Sequence, residues 1–142
     1  MKSSKICITI GISILMLFFS YTTMASEDKE GKAVRAAKAW LALIDEGKYN
    51  ESWMTAAVYF KKAITKQKWE QSLTAVREPL GKLVARKIKS KLYTKSLPGA
   101  PDGEYVVIQF ATSFENKVSA IETVTPMLDK DGKWRVSGYY IK

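Results

Sequence analysis

Apolar residues at Ala33, Ala36, Ala37, Trp40, Leu41 and Ile44 follow the spacing of a helix with one buried stripe. A charged lead, Ser26 to Lys32, precedes this helix, and Gly47 ends it. Asn50 is a good N-cap for a second helix, in which Trp53, Ala57, Phe60 and Ile64 recur three and four residues apart. Thr65 caps a third, carrying Trp69, Leu73, Val76 and Leu80, and Pro79-Leu80-Gly81 stops it.

From Lys82 the period drops to two. Val84, Ile88 and Leu92 alternate with Lys87, Lys89 and Lys91, which predicts a strand with one apolar and one cationic face. After the turn-rich stretch Leu97-Pro98-Gly99-Ala100-Pro101-Asp102-Gly103, the pattern predicts strands near Glu104 to Phe114, Val118 to Leu128 and Lys133 to Ile141. Glu115-Asn116-Lys117 and Asp129-Lys130-Asp131-Gly132 read as hairpin joints. Helices first and a meander afterwards imply an α+β fold, with the helices covering one face of a curved antiparallel sheet of about four strands.

If Leu128 closes against Lys133, then Ile121, Thr123, Thr125 and Met127 share a face with Trp134, Val136, Gly138 and Tyr140. A tight first hairpin at Glu115-Asn116 adds Ile108 and Phe110 to this expected core. The opposite face then carries Tyr105, Val107, Gln109, Val118, Glu122, Val124, Tyr139 and Ile141. It is apolar enough to imply a partner subunit, more chain or a ligand.

Upstream of all this, Lys2 and Lys5 precede an apolar run from Ile6 to Phe19 that ends in Thr23-Met24-Ala25. That is the pattern of a secretory signal peptide cut after Ala25, leaving residues 26–142 as one exported domain, periplasmic or extracellular and soluble. The run is short of the ~20 residues a membrane span needs. Cys7, the only cysteine, sits at the start of the run, so the mature domain has no disulfide, thiolate metal site or lipid-bearing cysteine. Histidine is absent altogether. The net charge of +9 falls to +7 with the loss of Lys2 and Lys5, which favours acidic partners such as an anionic envelope surface. No nucleic-acid-binding module is recognisable.

Four residues stand out as ligand-binding candidates: Arg86, Gln109, Glu122 and Tyr139. Arg86 is in phase with Val84, Ile88 and Leu92, where an unpaired charge is costly, so it needs a partner. That partner is either an ion pair at the sheet edge or an anion in a pocket mouth. Glu122 lies among Val118, Ala120 and Val124 and is placed near Gln109 and Tyr139, as part of a structural network or as an acid or base. Trp40, Trp53, Trp69 and Trp134 follow their apolar stripes and read as core anchors, or as the lining of an aromatic cavity. Asp129-Lys130-Asp131-Gly132 has the look of a calcium loop, but its twelfth position is Tyr140 where a bidentate Glu is needed, so no metal is expected. No motif for a cofactor is present either.

Several blocks together resemble the bacterial exported family catalogued as domain of unknown function 4019. They are Ala39-Trp40-Leu41, Asp45-Glu46-Gly47-Lys48-Tyr49, Ser52-Trp53, Arg77-Glu78-Pro79-Leu80-Gly81 with Arg86, Leu97 to Tyr105, Glu122-Thr123-Val124-Thr125, and Gly132 to Val136 with Gly138-Tyr139-Tyr140. The resemblance implies a fold and an envelope location but no activity. Helices followed by a meander also look like the nuclear-transport-factor-like or cystatin-like cone fold, which hosts enzymes, binders and scaffolds alike. The leading expectation is a non-enzymatic module that binds a small ligand or a protein, with a homodimer through the sheet as one form of contact. One alternative is a small cone-fold isomerase or dehydratase using Glu122. The other is a basic envelope protein touching anionic lipid or polysaccharide through Lys87, Lys89 and Lys91.

Overall fold

The structure, a computed structural model, describes residues 15–142, with the side chains described at Ala25 and from Glu27 onward. Lys2, Lys5 and the start of the apolar run lie outside the described residues. The first helix, α1, runs Leu15–Asp45, so the charged lead expected before it is helical. Glu27, Lys29, Glu30 and Lys32 in it are good helix formers, and Lys32 pairs with Asp28 one turn back at 2.9 Å. Ala33, Ala37, Trp40, Leu41 and Ile44 form the buried stripe. Two polar contacts pin the first turns of this stripe to the sheet. Lys29 Nζ reaches Glu104 at 2.6 Å, Tyr93 donates to the same carboxylate, and Glu30 takes Lys91 at 3.3 Å.

The expected second helix is split into α2, Tyr49–Met54, and α3, Val58–Ala63. Ala57 is extended, and its N–H donates 2.8 Å to the Val136 carbonyl on the last strand. That bond satisfies a free group on the sheet edge and breaks the helix there. Asn50 lies inside α2 and caps nothing. Thr65 does cap α4, Lys66–Arg77, by accepting from the Lys68 N–H. A single 3-10 turn, Glu78–Leu80, and Gly81 at φ +73° then end the helical layer.

Four strands follow as an antiparallel meander in the order β1-β2-β3-β4: Leu83–Thr94, Tyr105–Phe114, Lys117–Leu128 and Trp134–Ile141. The α+β architecture is the expected one. Its register differs. The first hairpin does close tightly, Phe114 opposite Lys117, but a bulge between Thr112 and Phe114 shifts the pairing by one, so that Phe110 faces Glu122. In the last hairpin Leu128 pairs with Trp134, and a second bulge beside Pro126 brings Tyr139 opposite Val124.

The helix-covered face therefore carries Val106, Ile108, Phe110, Thr112, Ala120, Glu122, Val124 and Val136, all buried. Ile121, Thr123, Thr125 and Met127, expected in the core, fall on the opposite face, because a one-residue shift exchanges the faces of a strand. Tyr139 turns inward. Its ring meets Trp40 at 5.5 Å and Trp69 at 6.3 Å. Phe60 completes this aromatic centre, edge-on to Trp69 at 4.9 Å. Trp40 and Trp69 are core anchors as expected, whereas Trp53 and Trp134 are only partly buried against the core.

The pairing of β1 with β2 shifts twice, between Leu83 and Ala85 and between Ile88 and Ser90, and the second shift breaks up the expected lysine row. Beyond it Lys91 sits opposite buried Ile108 and reaches Glu30 on α1, so Lys87, Lys89 and Lys91 do not share one cationic face. Leu92 is turned out opposite Val107 and lies exposed.

This packing sets expected costs. Trp40→Ala should lower unfolding free energy by about 3–5 kcal/mol, because it empties the aromatic centre and removes the 2.8 Å bond from its indole N–H to the Ser52 carbonyl. Val84→Ala, on the exposed side of β1, should change it by less than about 0.5 kcal/mol. Chemical denaturation of the two variants measures both.

Candidate functional site

Arg86, Glu122 and Tyr139, from β1, β3 and β4, meet between the end of α1 and the covered face of the sheet. The Arg86 Nε donates to Glu122 Oε2 at 2.6 Å, and its Nη2 to Oε1 at 3.1 Å. Tyr139 Oη donates to Oε1 at 2.6 Å and Thr112 Oγ1 to Oε2 at 2.7 Å. Each carboxylate oxygen thus accepts two bonds, which fills its capacity. Glu122 is 0% exposed.

The other side of the Arg86 fork holds Asp45, at the last residue of α1, with bonds of 2.7 and 3.0 Å. Asp45 also accepts 2.8 Å from Arg77 at the end of α4. The Arg77 guanidinium lies 4.3 Å from the centre of the Phe114 ring. The four charges alternate in sign and cancel. Arg77 Nε and Nη1 have no hydrogen-bond partner among the described residues.

Burial alone would raise the Glu122 pKa, but the Arg86 charge and the bonds from Arg86, Tyr139 and Thr112 outweigh it and hold the carboxyl below its ordinary value. Burial and the neighbouring Glu122 charge push Tyr139 up, so it stays protonated. An acid or base working near neutrality needs a pKa near neutrality and reach to a substrate proton. Glu122 has neither. Arg86 spends four of its five N–H donors on the two carboxylates.

Gln109 stands apart from this group. It lies on the outer face of the sheet, opposite Thr123 on one side and Ser90 on the other, and its Oε1 accepts a 3.3 Å bond from Ser90. Asp45, Arg77 and Thr112 belong to the cluster but do not stand out in the sequence. Their phase carries the signal. Arg77 follows Trp69 and Leu73 at steps of four, Thr112 follows Ile108 and Phe110 at steps of two, and Asp45 lies four residues beyond Leu41.

Two of the clefts among the described residues bear on these candidates. One, of about 390 Å³, exposes only the outer edge of the cluster, Asp45 and Arg86, beneath Lys38 and Lys87, and Glu122 does not line it. The other, of about 700 Å³, lies at the opposite end, between α2–α3 and the β3–β4 hairpin. Met54 and Val58 form its helical wall and Met127 and Leu128 its strand wall. The Tyr59 hydroxyl, donating 3.0 Å to the Gly99 carbonyl, ties α3 to the loop that closes one end. On the hairpin, Arg135 bonds both Asp129 and Asp131 at 2.8–2.9 Å, so the carboxylates of the calcium-like loop are already paired with a cation. Bonds from Arg135 and the Lys133 backbone hold Asp131 at a pKa of about 2.

Arg86→Met would leave Glu122 buried without its cation and should cost about 3–5 kcal/mol of stability. Because folding lowers the Glu122 pKa from its ordinary 4.5, the stabilisation is full above that pH and is lost as pH falls through the lower native value. Denaturant titrations between pH 7 and pH 3 should show this acid loss in the wild type and a shallower one in Glu122→Gln.

Comparison with known sequences and structures gives a single match. No curated protein and no solved structure matches the chain. The profile of one family, described as protein of unknown function (DUF4019), matches residues 36–139, a span that starts in α1 and ends in β4 at Tyr139. The span takes in the four charged members of the cluster and the walls of both clefts, and the chain belongs to this family of unknown function.

Proposed function

We propose that this protein is an exported, non-enzymatic binding module that takes a small ligand in the cleft between α2–α3 and the β3–β4 hairpin. The cleft carries the reading. Its volume of about 700 Å³ falls in the range usual for small-molecule sites, roughly 300–1,000 Å³. Met54 and Val58 remain 60% and 51% exposed in its wall, apolar surface that a ligand would remove from water.

The enzyme reading has less support. Its acid or base, Glu122, is sealed, ionised and fully bonded. The reading as a basic envelope-contact protein rests on three aligned lysines, and Lys91 is turned to Glu30 on the helical side. The outer face of the sheet favours a second contact, with another copy of the chain, since Leu92 and Tyr140 stand exposed on it at 62% each.

Export follows from the basic start, the short apolar run and Thr23-Met24-Ala25. N-terminal sequencing of the product released by its own host should begin at Ser26. Retention of Met1 on membrane-integrated protein would overturn the exported reading. Native mass spectrometry of the same material should show a small-molecule adduct that Met54→Asp removes. An adduct unaffected by that change would place the ligand elsewhere.

A further inference from the structure

Resting on that reading of the cleft, we infer that its ligand is an amphipathic anion, a compact apolar body bearing a single negative head. The walls are chemically divided. Met54, Val58, Met127 and Leu128 supply an apolar floor, and methionine side chains adapt their shape to what lies against them. Lys61 and Lys62 stand on the helical side and Lys130 on the hairpin side, so cations face the space from two walls.

The carboxylates on the same walls offset these cations only in part. Asp129 and Asp131 are both engaged by Arg135, which turns their charge toward the guanidinium. Asp102 is the third carboxylate of the lining, so Lys61, Lys62, Lys130 and Arg135 face three carboxylates and the cleft keeps one net positive charge. Lys61 is also positioned. Its Nζ donates 3.2 Å to the Met54 carbonyl, which holds the ammonium beside the apolar floor and leaves two of its three donors for a ligand. An uncharged ligand would use the floor and leave the ammonium groups to water. A dianion would meet Asp102. A single negative charge on an apolar body matches both parts of the lining.

A pair of probes with one scaffold separates charge from apolar burial. Anilinonaphthalene sulfonate carries a negative group that its parent, N-phenyl-naphthylamine, lacks. Fluorescence titration of the protein as exported by its host should show the sulfonate bound about tenfold more tightly at low salt, the sum of a few modest ammonium contacts. Replacing Lys61, Lys62 and Lys130 together by glutamine should erase that preference and leave the parent's affinity unchanged. Met54→Asp or Val58→Asp, both at exposed positions, should weaken both probes, with circular dichroism melts showing the fold retained.

Equal affinity for the two probes, or a preference that survives the triple replacement, would overturn the anion inference, while sensitivity to Met54→Asp would leave the cleft reading standing. Binding of neither probe, or binding indifferent to both aspartate variants, would overturn the cleft reading as well.

Discussion

Arg86 is the tie on which the arrangement of layers depends. One guanidinium from β1 grips the middle of β3 through Glu122 and the end of α1 through Asp45, and Arg77 draws the end of α4 to Asp45 as well. Taking four charges out of water costs several kcal/mol per ion, so a cluster of this kind contributes little net stability compared with apolar packing of the same volume. Its effect is on choice among arrangements. A helix docked one turn out of place, or a strand slipped by one residue, would bury the same apolar area and strand a charge. The penalty falls on the wrong register and spares the right one.

The aromatic centre depends on that choice. Tyr139 donates to Glu122 and packs by its ring on Trp40 and Trp69, so one side chain joins the polar cluster to the apolar core. Trp69 in turn bonds Ser52 through its indole N–H at 3.0 Å, and Trp40 bonds the Ser52 carbonyl. The buried indoles thus carry satisfied donors into the core, and α2 is held by them despite being only six residues long. Rigidity concentrates at this end of the molecule. The cleft of about 700 Å³ lies at the other end, bounded by short helices and a hairpin, with Met54 and Val58 exposed in its wall.

The fold class was legible because helical periodicity ends at Leu80 and period two begins at Lys82, a change no local ambiguity obscures. Arg86 and Glu122 were legible too, as charges in phase with apolar neighbours. The face of β3, and with it the separation of Gln109 from Glu122, was not. Each of four register shifts moves the pairing by one residue, and such a shift leaves no mark in an alternating pattern of valine, threonine and isoleucine. The break between α2 and α3 was hidden for a related reason: Trp53, Ala57 and Phe60 keep helical spacing straight across it. The bond that interrupts them comes from Val136, about eighty residues away. Long-range backbone pairing overrode local periodicity in each case.

The contacts of Lys29 and Glu30 with the sheet give α1 a property beyond stability. At its other end the same helix is held by Asp45. Between Lys29 and Asp45 it behaves as a rod of about 24 Å fastened at both ends, and each residue added or removed would turn one fastening by about 100° relative to the other. That interval cannot change length without releasing an end.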